Sequence, residues 1–244
     1  MVAPTKSPLP HSYSSGITVC VPAYNEEATI ERAVLDADLA IKQSSLPGEI
    51  LVIDDCSTDR TWKILCDIKD RVPNLLVRRH STNRGIAPTF AELYQWASKE
   101  LVFLNSADGQ WKMNVLLELL PMTPSYDIIV AQRRNKHYGF GRRVISWLFN
   151  LLPVIFFATR TYDAGSVKLV RRAVYDLPLT SSGVFAEAER IIRATRQGFR
   201  LGVKEIESYP RQTGKASGAK LSLVIEGMLD LCKCWFDIVV LRRS

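Results

Sequence analysis

The 244-residue chain is 47% hydrophobic and 23% charged, with a formal net charge of +7. That composition excludes disorder and allows one substantial core. The positive balance suits anionic partners, but no dense Lys/Arg run with interleaved aromatics is present, which argues against nucleic acid. Five cysteines without a CxxC pair and three scattered histidines exclude a disulfide framework and a His/Cys zinc cage.

Residues 1–15 are rich in Pro and Ser and lack an apolar segment. They read as a flexible tail rather than a signal peptide, so a cytosolic, reducing location is expected. Beyond them apolar runs alternate with helical periods. ITVCV (17–21), EILVI (49–53), NLLVRR (74–79), LVFL (101–104) and DIIV (127–130) are expected strands. Near-continuous Ile/Val/Leu runs suit strands buried on both faces of a parallel sheet. Asn25 is expected to cap a helix with Glu26 and Glu27 in its first turn and Ile30, Val34, Ala37 and Ile41 along one face. Ser57 or Thr58 is expected to cap the next, with Trp62, Leu65 and Ile68 inward. Pro88 suits the first turn of a third, before Phe90, Leu93 and Trp96. Strands alternating with helices predict an α/β fold, a mostly parallel central sheet flanked by helices with ligands at the strands' carboxyl ends.

The second half differs. Residues 132–146 are basic and loop-like and lead into the apolar run VISWLFNLLPVIFFA at 144–158. That run is shorter than the roughly 20 residues a bilayer span needs. It reads either as a helix in the headgroup plane or as a buried core helix. A helix is expected over 186–197, stopped by Gly198, and an amphipathic C-terminal helix over 221–244.

Three polar turns follow strands: PAYNEE (22–27), DDCSTD (54–59) and NSADGQ (105–110). Such residues are common in turns for local reasons, but three at the strand ends of one sheet predict a polar ligand site. No glycine-rich phosphate cradle occurs, so phosphate charge would be met by a metal and by Arg or Lys. Asp108 and Gln110 offer oxygen donors suited to Mg²⁺ or Mn²⁺ shared with phosphates. Arg133, Arg134, Arg142, Arg143 and Arg211 are either phosphate binders or a solvated basic face.

ITVCVPAYNEEATIERAV, EILVIDDCSTDRTWKI, NRG (83–85), SADGQ (106–110), DAGSVKLVRRAV (163–174), FAEAERIIRA (185–194) and YPRQTGKASG (209–218) occur in order. Over roughly residues 16–220 the chain resembles family 2 glycosyltransferases with the GT-A fold. The resemblance is to the branch of dolichol-phosphate mannose synthase and bacterial undecaprenyl-phosphate sugar transferases. It implies inverting transfer from a GDP- or UDP-linked sugar to a polyprenyl phosphate at the cytosolic face of a membrane. Attachment would be peripheral or through a membrane subunit.

By the same resemblance Pro22, Tyr24 and Glu26 hold the base and ribose, and Asp54 and Asp55 contact the base side. Asp108 contacts the donor and, with Gln110, the metal. Arg133, Arg142 and Ser146 match the acceptor-phosphate group, and Arg211 the donor diphosphate. Asp163, Glu187 and Glu189 match acidic positions near the sugar, and Asp163 and Arg211 are the expected catalytic residues. Local roles stand beside these: Asp163 as a turn residue, the two glutamates as partners of a helix start. Ser106 stands where the family has the first Asp of an Asp-x-Asp-x-Gln pattern, removing one carboxylate. Two alternatives follow: transfer to a saccharide or glycolipid hydroxyl, with one of these acids as base, or a nucleotide-binding paralogue with weak or no catalysis.

Overall fold

The apolar runs form strands where the sequence predicts them: β1 (Ser14–Ala23), β2 (Gly48–Asp54), β3 (Leu75–Arg79), β4 (Lys99–Leu104) and β5 (Ile128–Arg133). The computed structural model describes residues 14–134, 140–210 and 221–242, without the side chains of residues 140, 142, 144, 221 and 222. The expected tail therefore lies mostly outside the described residues, and Ser14 and Ser15 belong to β1. Helices α1 (Ile30–Ser44), α2 (Thr61–Ile68), α3 (Ile86–Trp96) and the short α4 (Val115–Leu119) connect these strands.

Both predicted cap assignments need correction. Asn25 lies five residues before Ile30, the first residue of the helix expected to start there, with φ of +54°, and its Oδ1 accepts the Thr58 amide at 2.8 Å. Ser57 and Thr58 also precede their helix. At its start Asp59 Oδ1 accepts both the amide (2.9 Å) and the hydroxyl (2.6 Å) of Thr61. These Asn and Asp side chains bond across or within turns, the competing use that their short polar side chains allow.

Two strands escaped the sequence reading. β6 (Lys168–Arg171) has only four residues, and β7 (Leu201–Ile206) carries Gly202 and two charges, so neither gives an apolar run. The sheet order is β3-β2-β1-β4-β6-β5-β7. β6 runs antiparallel to β4 and β5, with Phe103 opposite Leu169, and the other pairings are parallel. Because β1 lies between β2 and β4, the winding reverses there, and the carboxyl ends of β1 and β4 border a crevice.

Alternation along the inner strands fills both faces. Val19, Val21, Ile50 and Val52 pack with α1 and α2, while Cys20, Leu51 and Ile53 pack with Leu93 and Tyr94 of α3. Cys20 is the buried thiol expected, and burial drives its pKa far up. A helical layer closes the other end of the sheet: α5 (Phe140–Phe157), α6 (Ala186–Arg196) and α7 (Leu221–Trp235), the last continued by a wider turn over Phe236–Val240. Phe157, Phe185, Ile192, Leu231 and Ile238 share its core. Gly198 ends α6 with φ of +91°, and the Phe199 amide closes the cap on the Ala194 carbonyl at 3.0 Å.

Gly16 in β1 has φ of +133°, and a Cβ there would lie 2.2 Å from the Pro47 carbonyl oxygen. Gly16→Ala is expected to destabilise the protein by about 2–4 kcal/mol, read as a lower urea midpoint. Gly141→Ala, in open space within α5, should be neutral or stabilising by up to about 1 kcal/mol.

Candidate active site

The turns after β1 and β2 are stitched together by side chains that accept backbone amides. The Asn25 amide donates to Ser57 Oγ at 2.9 Å, the Glu26 amide to Thr61 Oγ1 at 2.8 Å, and the Arg60 amide to Glu27 Oε2 at 3.1 Å. Glu26 is buried and its Oε2 accepts the Thr29 hydroxyl at 3.1 Å, whereas Tyr24 is exposed at the strand end. Pro22 lies opposite Ile53, one pair before the end of the β1 ladder.

The expected base-side pair, Asp54 and Asp55, is committed inside the protein. Asp54 is fully buried, held by the Ser57 hydroxyl and by Arg79 Nε at 3.0 Å. Asp55 Oδ1 meets His80 Nδ1 at 2.6 Å and accepts the Arg84 amide at 2.8 Å, and its Oδ2 accepts the Gly85 amide at 2.8 Å. The other His80 nitrogen lies 3.1 Å from Glu92 Oε2. Asp55 and His80 thus mould the NRG turn along the crevice, a role for His80 that its isolation in the sequence did not signal.

After β4 the SADGQ turn is self-bonded. The Asp108 amide donates to Ser106 Oγ at 3.3 Å, and the Gln110 amide donates to Asp108 Oδ1 at 3.0 Å. Among the described residues no three His, Cys, Asp or Glu side chains lie together as a metal cage. One buried carboxylate beside an amide oxygen does fit a hard cation whose other ligands are phosphate oxygens and water. The Tyr209 amide donates to the Gln110 carbonyl at 3.0 Å, which anchors the chain leading to Arg211 beside this turn. Arg211 itself lies outside the described residues, as does the side chain of Arg142.

Arg133, at the end of β5, joins this turn to a second cavity. Its guanidinium stands 6.0 Å from the Trp111 ring centroid and pairs with Asp163 at 2.8 Å. The turn carrying Asp163 is fixed by the Ser166 amide on the Asp163 carbonyl (2.7 Å) and by Ser166 Oγ on the Ala131 carbonyl (2.5 Å). Asp163 is thus part of a bonded turn and at the same time the partner of Arg133. Arg133, Asp163 and Ser146 line one cavity of about 200 Å³, with Asn150 and Thr161 beside them. Phe149, Val184, Phe185, Ala188, Leu223 and Val224 form its apolar walls. The sequence reading missed Asn150 and Thr161; the polar break that Asn150 makes in the apolar run was the available signal.

Glu187 and Glu189 turn away from that cavity. Glu187 pairs with Lys168, lies 3.7 Å from Arg190 and accepts the Tyr94 hydroxyl at 3.2 Å. Burial raises its pKa, but the Lys168 and Arg190 charges more than reverse this, leaving it below the ordinary value. Glu189 is fully buried and accepts the Thr180 and Ser181 amides at 2.8 Å each and Arg193 Nε at 2.7 Å. Arg193 continues to Asp237 at 2.6 Å. The two glutamates tie α6 to its surroundings.

Residues 18–176 match the family model described as glycosyl transferase family 2. The chain belongs to this family. It is similar to the dolichol-phosphate mannosyltransferase of Pyrococcus furiosus, 28% identical over 134 residues, which are 54% of this chain and 36% of that protein. This chain thus spans about a third of the length of that relative. With the undecaprenyl-phosphate mannosyltransferase of Micrococcus luteus it shares 23% identity over 216 residues, 82% of this chain and 86% of the relative. The fold is that of GT-A glycosyltransferases. The glucosyl-3-phosphoglycerate synthase of Mycobacterium tuberculosis, solved with Mn²⁺, UDP and phosphoglyceric acid, superposes with a TM-score of 0.69 at 16% identity, over 92% of this chain and 79% of that one. S. aureus TarS in complex with UDP-GlcNAc gives 0.57 at 20% identity, over 84% and 61%.

Burial raises the pKa of Glu189, but hydrogen bonds from Ser181, Thr180 and Arg193 outweigh this and hold it below 4.5. Its contribution to stability is therefore complete above pH 4.5 and is lost as the pH falls through the depressed native value. Glu189→Gln, which leaves Arg193 half-paired, should lose about 3–5 kcal/mol at neutral pH. Urea denaturation should show that gap narrowing in acid; an equal deficit at both pH values would contradict the assignment.

Proposed function

We propose that the protein transfers a sugar from a GDP- or UDP-linked donor to a polyprenyl phosphate, with inversion, working peripherally at the cytosolic surface of a membrane. The cavity at Arg133 carries this reading. One side of it offers a guanidinium, a hydroxyl and an amide, as a phosphate requires, and the other side is apolar, as an isoprenoid chain requires. The names of the two mannosyltransferase relatives support the same acceptor class.

A lipid phosphate has a second pKa near ~6 and is largely dianionic at neutral pH, so its oxygen attacks the anomeric carbon without a strong base. Arg133, steadied by Asp163, and Ser146 orient that phosphate against the donor sugar. The bond from the anomeric carbon to the donor diphosphate breaks as the new bond forms. Asp108 and Gln110 would hold Mg²⁺ or Mn²⁺, which supplies charge neutralisation for the leaving diphosphate. Arg211 would add a second positive group to it. The walls of the crevice around Tyr24, Glu26 and Asp55 would receive the base and ribose.

A second reading has a definite support: Asp163 places a carboxylate in the cavity, where it could serve as base for a saccharide hydroxyl. The experiment that separates the two offers a panel of labelled nucleotide sugars with polyprenyl phosphate or with free saccharides, in Mg²⁺, Mn²⁺ or EDTA. Metal-dependent label in the butanol-extractable lipid is expected. Arg133→Ala should lower kcat/KM for the lipid acceptor about 10²–10³-fold and leave donor binding unchanged. Label in saccharides alone, or donor binding without any transfer, would overturn the lipid-phosphate reading.

A further inference from the structure

A water-facing amphipathic helix turns its apolar stripe inward and its charges outward. Helix α7 and its continuation bury Leu231, Cys234 and Ile238, but they also turn two acids inward and a second apolar stripe outward. Asp230 and Asp237 point inward, 3% and 9% exposed, where Asp230 accepts the Gly183 amide at 3.2 Å and Asp237 pairs with Arg193. Ile225, Leu229, Phe236 and Val240 point outward, 53%, 57%, 52% and 49% exposed. Glu226 and Lys233 are the exposed charges along α7, and Trp147 and Ile155 of the adjoining α5 are also exposed. Burying carboxylates costs free energy that their partners must offset, and exposing this much apolar surface to water offsets nothing. The pattern makes sense only if something apolar covers the outer stripe.

We infer that an anionic phospholipid bilayer covers it, with α7 lying in the headgroup plane. The choice of occupant rests on the lipid-acceptor reading above and on three features of this face. At the end of the stripe a cavity of about 340 Å³ is lined by Arg196, Ile238, Val239 and Arg242, two cations against two aliphatic side chains, complementary to a phosphate headgroup and the start of its acyl chains. The acceptor cavity opens between the same helices, with Phe149 of α5 and Leu223 and Val224 of α7 in its wall. An isoprenoid chain would therefore enter it from the covering layer. Among the described residues no helix is long and apolar enough to cross a membrane, so the contact is interfacial.

The test is flotation of the full chain with vesicles of phosphatidylcholine alone or mixed with phosphatidylglycerol. Binding to the anionic vesicles is expected. A Leu229→Ser/Phe236→Ser double variant should bind at least about tenfold more weakly. Arg196→Gln/Arg242→Gln should lose about tenfold or more, on the phosphatidylglycerol vesicles only. All four positions are at the surface, so thermal melting should be unchanged. Flotation indifferent to both variants overturns the inference. So does a wild-type dimer that Leu229→Ser/Phe236→Ser converts to monomer while vesicles go unbound, because the face would then join copies of the chain. Transfer to a water-soluble short-chain isoprenyl phosphate keeps this apart from the transferase reading. Transfer without vesicle binding ends the docking inference alone, and residue-dependent vesicle binding without transfer supports docking while ending the transferase reading.

Discussion

The ion pair between Arg133 and Asp163 is the joint on which the site depends. It connects the end of β5 to the turn that follows α5, and that turn is itself pinned to β5 through Ser166. On one side the Arg133 guanidinium approaches Trp111 and so the SADGQ turn at the end of β4. On the other it faces a cavity whose remaining walls come from α5, α6 and α7. A single side chain thus sits where the crevice of the parallel sheet meets the helical layer. A half-buried guanidinium would be costly alone; with Asp163 as partner it is stable and already aimed.

The same economy of charge runs through the helical layer. Glu189 with Arg193 and Asp237 is a buried set of opposite charges, and Glu187 pairs with Lys168 and lies near Arg190, whose guanidinium stands over the Tyr94 and Tyr175 rings. They hold α6 between β6 and the C-terminal helix, and so hold the cavity wall formed by Phe185 and Ala188. At the end of β2 Asp54 and Asp55 do comparable work, spending their carboxylates on the Ser57 and NRG turns. With Ser106 in place of a carboxylate, charge at the crevice is carried by Asp108, which is why a cation there would have to be shared with phosphates.

Much of this was legible in the residues. Strands β1, β2, β4 and β5 stood out because both their faces are largely buried, which leaves runs of Ile, Val and Leu, while the edge strand β3 showed only the short run Leu75–Val77. The three polar turns pointed to the crevice, and their order with NRG and the later motifs pointed to the family. Strands β6 and β7 were not legible, since one is four residues long and the other is broken by Gly202 and two charges. Helix starts were misplaced because Asn25, Ser57 and Thr58 have side chains that serve a turn as readily as a cap, and only packing decides. Nothing in the sequence revealed that Glu187 finds Lys168 across the core, or that Arg193, four residues after Glu189, continues to Asp237, because Lys168 and Asp237 are distant in the chain. The apolar run at 144–158 was read as either interfacial or core. Helix α5 packs on the core at Phe157, while Trp147 and Ile155 face outward.

The central claim is that the cavity beside Arg133 takes a phosphate on an apolar chain. Photolabelling with a diazirine-bearing polyprenyl phosphate, followed by peptide mapping, tests it most directly. The account predicts adducts on α5 and α7 around Phe149 and Leu223, suppressed by unlabelled polyprenyl phosphate and lost in Arg133→Ala. Adducts elsewhere, or adducts suppressed equally by polyprenol lacking the phosphate, would contradict it.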